Sequence, residues 1–314
     1  MSWEFKYRHN IMKARTYTLF ALFTFLFLFY PGDSYLFHIF AFNRDVFQQT
    51  EKIIRPKIHP VPFVTNSTRP YTTAQGIYIV DSPSFTPILE KNSRSKFLPA
   101  STTKVITALV AYDIYKPTQI ITVKNIAVEG QVMGLVQGEK ISVENLLYGL
   151  LVHSGNDAAY ALANDYGYDR FIQRMNTKAQ ELYMKDSVFK NPAGFDEDDQ
   201  YSTPFDLCFA ARAVLQNEYL AKIVSTKEII ISDVDYQYFH KLTNVNKLLG
   251  EIQGVGGLKT GYTENAGENL ISFYKKNGHE FIIVILKSTD RFADTRNIIT
   301  WITSSVDYAT YSIR

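Results

Sequence analysis

The chain has 314 residues, 46% of them hydrophobic, with 33 Lys and Arg against 31 Asp and Glu for a formal net charge of +2. That length and apolar content support one large core, or a core with a small appendage, and exclude a disordered chain. The near balance of charge sets up no field that gathers nucleic acid, so no nucleic-acid partner is expected, and the single cysteine, Cys208, excludes an internal disulfide framework and any multi-cysteine metal site.

The first signal along the chain is N-terminal. Lys6, Arg8, His9, Lys13 and Arg15 precede an uncharged run from Thr16 to Tyr30 that is rich in Phe and Leu. This is the charged-then-apolar order of an export signal. Residues 1–15 are expected to form a basic cytoplasmic segment, and 16–42 a signal-anchor or signal-peptide region. At about fifteen residues the run is long for a signal-peptide core and short for a membrane span. Gly32 and Ser34 would suit cleavage, but Tyr35, Phe37 and Phe40 just beyond them read as an interfacial belt, which favours an uncleaved anchor. Everything after Asp33 then faces outward.

From Asn43 to Thr73 the composition turns charged, with Pro56, Pro60, Pro62 and Pro70 discouraging both helix and central strand. It reads as an extended linker, followed by a globular domain over 74–314. GIYIVD and FTPILE are short β-rich runs joined by the turn cluster Asp81, Ser82, Pro83 and Ser84, so a hairpin opens the domain. The apolar spacing of Val105, Ile106, Leu109 and Val110 predicts a largely buried helix from Ser101 to Tyr115. Helical patterns dominate from Val143 to about Leu220, and Cys208 reads there as a small core residue. GLKTGYT, NLISFYK and EFIIVILK then read as strands, the last two joined by Asn277 and Gly278, which suit the positive φ of a tight hairpin. A closing helix is predicted from about Asp294 to Tyr311. Two strands, helices, three strands and a helix predict an α+β fold with one antiparallel sheet built from both chain ends and helices on its faces.

Three short patterns occur in order: Ser101-Thr102-Thr103-Lys104, Ser154-Gly155-Asn156 and Lys259-Thr260-Gly261. From average residue usage the first two would each arise about once by chance in a chain this long, so their settings have to carry the argument. Pro99-Ala100 leads into Ser101 at a helix start, near free backbone N–H groups and the positive dipole end, where an oxyanion is stabilised. Lys104 lies one turn on along the same face, within reach of the Ser101 proton. To act as a base it must be neutral, which apolar surroundings and a second cation, Lys259, would favour. The strand at Lys259 would present Gly261 to the same side, leaving room for a carboxylate-bearing peptide to lie along its edge. Ser154 and Asn156 sit in a loop held by buried flanks, where a helix cap is the alternative reading.

With their flanks, PASTTKVITALVAYD, GEKISVENLLYGLLVHSGNDAAYALA, YSTPFDL, TNVNKLL and GGLKTGYTENAG, these motifs resemble the low-molecular-mass penicillin-binding proteins, D-alanyl-D-alanine carboxypeptidases of serine peptidase family S11. The resemblance runs from about Gly76 to the C-terminus and implies a β-lactamase/DD-peptidase-like fold. It implies that Ser101 attacks the carbonyl of the penultimate D-Ala with Lys104 as general base. Ser154 would relay the proton toward the leaving amine, and Asn156 would hold Lys104 and the substrate amide. Lys259 and Thr260 would bind the terminal carboxylate. Ser101 and Tyr262 would supply the oxyanion hole from their backbone N–H groups. Peptidoglycan stem peptides ending in D-Ala-D-Ala would be the substrates and β-lactams covalent inhibitors, with no cofactor and no metal, at the bacterial cell membrane with the catalytic domain on its extracytoplasmic side. Two departures stand out. Ala193 occupies a position where the family often has His, and no C-terminal β-domain or amphipathic tail is expected after the closing helix, so the N-terminal segment would be the tether.

Other chemistries fit less well. His9, His38, His59, His153, His240 and His279 form no HxxxH or HxH pattern, which disfavours metal-dependent hydrolysis. His153 beside the second motif reads as packing, because SxxK already supplies a base, and Asp196, Glu197, Asp198 and Asp199 read as a solvated loop. A β-lactamase would need a Glu between Asn156 and Lys259 placed to activate the deacylating water, and no flanks there resemble that loop. A D,D-endopeptidase acting on cross-links carries the same motifs, and a non-catalytic wall-binding scaffold would keep the fold.

Overall fold

The computed structural model describes residues 3–29, 59–66, 68–124 and 129–309, and the chain divides into two units, one ending at Ile58 and one beginning at His59. The first contains helix α1, Trp3–Phe29. In its apolar half the hydroxyls of Thr16, Thr18 and Thr24 each donate back to the carbonyl four residues earlier at 2.8 Å, the partner such groups find within a helix when neighbours are hydrocarbon. No helix among the described residues is long and apolar enough to cross a membrane. The expected anchor region beyond Phe29 and the linker as far as Ile58 lie outside the described residues.

The second unit is built on a five-stranded antiparallel sheet of β2 (Gly76–Asp81), β3 (Pro87–Lys91), β8 (Val255–Thr263), β9 (Gly267–Lys276) and β10 (His279–Ser288), in the order β3-β2-β10-β9-β8. The first two strands of the domain thus pair with the last three, as the sequence pattern predicts. EFIIVILK carries no polar interruption because β10 is central and both its faces are covered. Ile283 and Ile285 join Ile77, Ile79 and Leu270 in one core. Their alternate neighbours Ile282, Val284 and Leu286 join Tyr78, Val80 and Ile271 in the other. Asn277 and Gly278 take φ of 52° and 81° at the β9–β10 turn.

The larger core lies under helices α2 (Lys104–Ile114), α3 (Val143–Leu151), α4 (Asn156–Tyr166), α5 (Tyr168–Glu181), α6 (Pro204–Gln216) and α7 (Glu218–Val224). Helix α6 starts where its sequence says it should. Pro204 fills the first turn and the Thr203 hydroxyl accepts from Asp206 N at 3.0 Å. Two small ribbons flank these helices, β4 (Ile120–Thr122) with β5 (Lys140–Ser142), and β6 (Glu228–Ser232) with β7 (Phe239–Thr243). The smaller core lies under α8 (Arg291–Ser305), which contributes Ile298, Ile299, Trp301 and Ile302.

The structure corrects three expectations. The helix predicted from Ser101 begins as a 3-10 turn, Ala100–Thr103, before α2. The closing helix is shorter at its C-terminal end, because β11 (Val306–Ala309) pairs antiparallel with β1 (Val61–Val64). That pairing also turns the end of the proline-containing spacer into part of the fold. Pro62 fits because the ribbon has only two strands, and a strand with a free edge can spare one N–H. The following residues are pinned as well. Trp301 Nε1 donates to Thr68 O at 2.7 Å, and the buried Asp294 carboxylate accepts from Thr73 N at 2.8 Å and Ala74 N at 2.9 Å.

Candidate active site

Ser101 sits in the 3-10 turn at the head of α2, next to β8, the edge strand of the sheet. The turn is strained on entry. Ala100 has φ of +47°, a left-handed conformation that costs an L-residue about 1–2 kcal/mol. Its partner is Gly194, with φ of +87°, where an added Cβ would collide with the Ala100 carbonyl. On the other side, a Cβ at Gly261 would lie 2.9 Å from Ser101 N and 3.1 Å from Thr102 N. Gly261 therefore leaves room for the backbone of the serine turn. The strand pattern alone assigns that room to a substrate, because residue order does not show which backbone approaches the strand.

Lys104 is 0% exposed and its Nζ meets three oxygens: Ser101 Oγ at 2.8 Å, Asn156 Oδ1 at 2.7 Å and Ala193 O at 2.7 Å. Burial first, and the charge of Lys259 second, push its pKa well below the ordinary lysine value. The third oxygen bears on the departure from the family at Ala193, since a backbone carbonyl is offered whatever the side chain is.

The second motif enters from a loop that is also strained. Ser154 has φ of +63° and precedes α4, whose first residue is Asn156. Ser154 Oγ accepts from Lys259 Nζ at 2.8 Å, and Lys259 donates to Thr260 O at 2.9 Å as well. Lys259 is fully buried on β8, and burial, then the nearby Arg291, lowers its pKa to about 7. One chain of polar groups thus links Ser101, Lys104 and Asn156, and another links Ser154 to Lys259. Thr260, Gly261 and Tyr262 follow on β8, with Thr260 buried and the Tyr262 side chain 59% exposed at the rim.

Such an arrangement holds a hydroxyl against a buried amine of depressed basicity, with a second hydroxyl–amine pair alongside and the backbone N–H of the serine turn close to the edge strand at Gly261. These are the parts needed to activate a serine and stabilise a tetrahedral oxyanion.

Sequence reasoning missed two contributors. Arg291, at the start of α8, donates from Nη1 to Gly261 O at 2.8 Å and is itself partly buried. Nothing local marks it, since it follows β10 in the chain and reaches β8 only through sheet order. The other is the loop from Glu129, which supplies two carbonyls to Asn156: Glu129 O at 2.7 Å from Nδ2 and Gln131 O at 2.7 Å from the backbone N. Residues set aside from the sequence stay aside. Cys208 is buried with its thiol pKa pushed well up by desolvation, and His153 meets Gln131 at 2.8 Å. Asp196 accepts from Thr263 Oγ1 at 2.8 Å, while Glu197, Asp198 and Asp199 are exposed.

Comparison with known proteins agrees with this geometry. Residues 64–290 match the Peptidase S11 family, described as D-alanyl-D-alanine carboxypeptidase. The D-alanyl-D-alanine carboxypeptidase DacF of Bacillus subtilis is 33% identical over 207 residues, covering 63% of this chain and 53% of that protein. DacD of Escherichia coli is 33% identical over 231 residues, 67% of this chain and 58% of its own. The chain therefore spans little more than half the length of these two relatives. Among solved structures, the Streptomyces K15 DD-transpeptidase superposes with a TM-score of 0.71 at 29% identity, covering 76% of this chain and 99% of that one. A D-alanyl-D-alanine carboxypeptidase from Mycobacterium tuberculosis gives 0.71 at 25% identity, over 81% and 100%. With the three motifs in order and assembled in one site, the chain belongs to the D-alanyl-D-alanine carboxypeptidase family, peptidase S11.

Proposed function

We propose that this protein removes the terminal D-Ala from peptidoglycan stem peptides through an acyl-enzyme on Ser101. Neutral Lys104 takes the Ser101 proton as Oγ attacks the carbonyl of the penultimate D-Ala, and the oxyanion is held by the backbone N–H groups of Ser101 and Tyr262. The proton passes through Ser154 to the departing D-Ala nitrogen as the C–N bond breaks. Lys259 and Thr260 hold the terminal carboxylate, and Asn156 holds Lys104 and the substrate amide. Water then attacks the ester, gives up its proton to the same base, and releases the shortened peptide and the free serine. A β-lactam opens on the same serine but retains its amine fragment, so its ester leaves slowly.

The observation that carries this reading is the 2.8 Å contact between Ser101 Oγ and a fully buried Lys104 whose basicity is depressed. A non-catalytic scaffold would have no use for a buried amine held at that distance from a hydroxyl. Cleavage of cross-links uses the same bond chemistry and is the second activity to assay, by offering a cross-linked dimer beside a pentapeptide. Incubating the full chain with a fluorescent penicillin should give covalent labelling by intact mass, and Ser101→Ala should abolish both labelling and D-Ala release while remaining folded. Labelling that persists in that variant would sink the mechanism.

Peptidoglycan lies outside the cell membrane, so this reading places the catalytic unit on the extracytoplasmic side of a bacterial membrane with the N-terminal segment as its tether. The run of cationic residues before the apolar half of α1 supports that orientation. Protease added to intact spheroplasts should digest the catalytic unit, and full protection would overturn this location.

A further inference from the structure

The loop from Glu129 to Glu139 contains none of the three motifs, yet Asn156 hangs on it. Its two carbonyl contacts to Asn156, at Glu129 and Gln131, turn Oδ1 toward Lys104 Nζ. The middle of the loop wraps the next side chain, Asp157, whose carboxylate accepts from Met133 N at 2.9 Å, Gly134 N at 2.8 Å and Leu135 N at 3.0 Å. Gly130, Gly134 and Gly138 all have positive φ, so this backbone has many alternatives and needs an outside tie to hold one of them.

That tie comes from β7. His240 is 6% exposed, with Nε2 at 2.8 Å from Glu139 Oε1 and Nδ1 at 3.2 Å from Met133 O. Glu139, buried in turn, accepts Val136 N through its other oxygen at 2.9 Å. Both neighbours of the imidazole are acceptors: a carboxylate and a carbonyl. A neutral ring has one N–H and can serve only one of them, whereas an imidazolium donates to both.

We infer that His240, as an imidazolium donating to Glu139 and to Met133 O, is a positioning residue that clamps the 129–139 loop in the register holding Asn156 against Lys104. The inference rests on the acyl-serine reading above and adds a residue that touches neither substrate nor serine. The ionisable groups that face the ring are Glu139 from the loop and Asp157 from the head of α4, both acidic, while its strand neighbour Lys241 lies on the opposite, exposed face. The hydrogen bond to Glu139 holds the His240 pKa above the ordinary 6.5, against the opposing effect of burial. The folded value being raised, the clamp is complete below the unfolded value and is lost as pH climbs through the folded one. Loss frees the loop, Asn156 loses its orientation, and acylation slows while the sheet and helices stay in place.

The test measures the second-order acylation rate of the full chain by fluorescent penicillin across pH 5 to 9 for wild type, His240→Gln and Glu139→Gln, with ring 15N shifts of His240 in the wild type. Glutamine keeps a donor and an acceptor but is never a cation. Both variants should acylate about ten- to a hundredfold more slowly than wild type at pH 6, and that ratio should shrink as pH climbs through the His240 pKa, since the Lys259 titration is common to all three chains. Both ring nitrogens should be protonated at pH 6. Wild-type rates and pH profiles in both variants would overturn the clamp, and so would a single protonated nitrogen at pH 6, whether or not the variants fold. Failure of the wild type itself to acylate would overturn the acyl-serine reading instead, and the ring shifts would still decide the charge of His240.

Discussion

Two buried lysines within one site are expensive, and that expense is what gives the site its chemistry. Desolvation disfavours the charged form of each, and the charge on Lys259 weighs further against a charge on Lys104. Falling pH protonates Lys104 and removes the base. Rising pH through about 7 discharges Lys259 and weakens its hold on a carboxylate. The expected kcat/KM for a D-Ala-D-Ala peptide is therefore bell-shaped, with its alkaline limb well below the ordinary lysine range. A profile flat from pH 5 to 10 would remove both lysines from their assigned roles. Much of this was legible in the sequence, since SxxK spacing places the two groups on one face and the apolar run around Lys104 announces its burial. The third oxygen on Lys104, from Ala193, was not legible, because a backbone carbonyl leaves no mark on residue type.

At the level of elements, the site is held by ends rather than middles. Ser101 lies at the head of α2, Asn156 at the head of α4, Arg291 at the head of α8, and Lys259 on an edge strand. Helix heads and strand edges carry unpaired backbone donors, which is why chemistry collects there. The head of α8 also fastens the start of the domain. The Asp294 carboxylate accepts from Thr73 N, Thr73 Oγ1, Ala74 N and Ser288 Oγ, the last at 2.6 Å. Asp294→Ala strands two backbone N–H groups and leaves the Thr73 and Ser288 hydroxyls only each other to donate to, at 3.1 Å, and should destabilise the domain by about 3 kcal/mol. Urea denaturation followed by Tyr and Trp fluorescence would measure it, and a loss below about 0.5 kcal/mol would show that these groups find other partners. The sequence pattern reached most elements here. It failed at the two-stranded β1–β11 ribbon, whose short members carry too few residues to show alternation and whose partner lies at the far end of the chain.

For the molecule as a whole, the self-contained unit begins at His59, well before the hairpin that reads as its start. A chain beginning at His59 should bind penicillin as the full chain does. One beginning at residue 74 forfeits β1, the Trp301–Thr68 bond and the Thr73 contacts to Asp294. Its Tm should fall by about 10 °C, read by the near-ultraviolet circular dichroism of its buried aromatics. Equal Tm values for the two chains would show that the segment 59–73 only decorates the surface.

By itself the sequence determined the fold class, the pairing of both chain ends in one sheet, and the identity of the polar residues that meet. Hydrophobic period and motif spacing are local quantities and are written in residue order. The tertiary structure decided which backbone occupies the gap at Gly261, that Arg291 reaches β8, and that His240 meets Glu139 in the loop whose carbonyls hold Asn156. Each of these joins residues far apart in the chain through a carbonyl, a missing Cβ or a ring nitrogen. Such contacts arise from how the packed layers are stacked, and no local pattern of residue types encodes them.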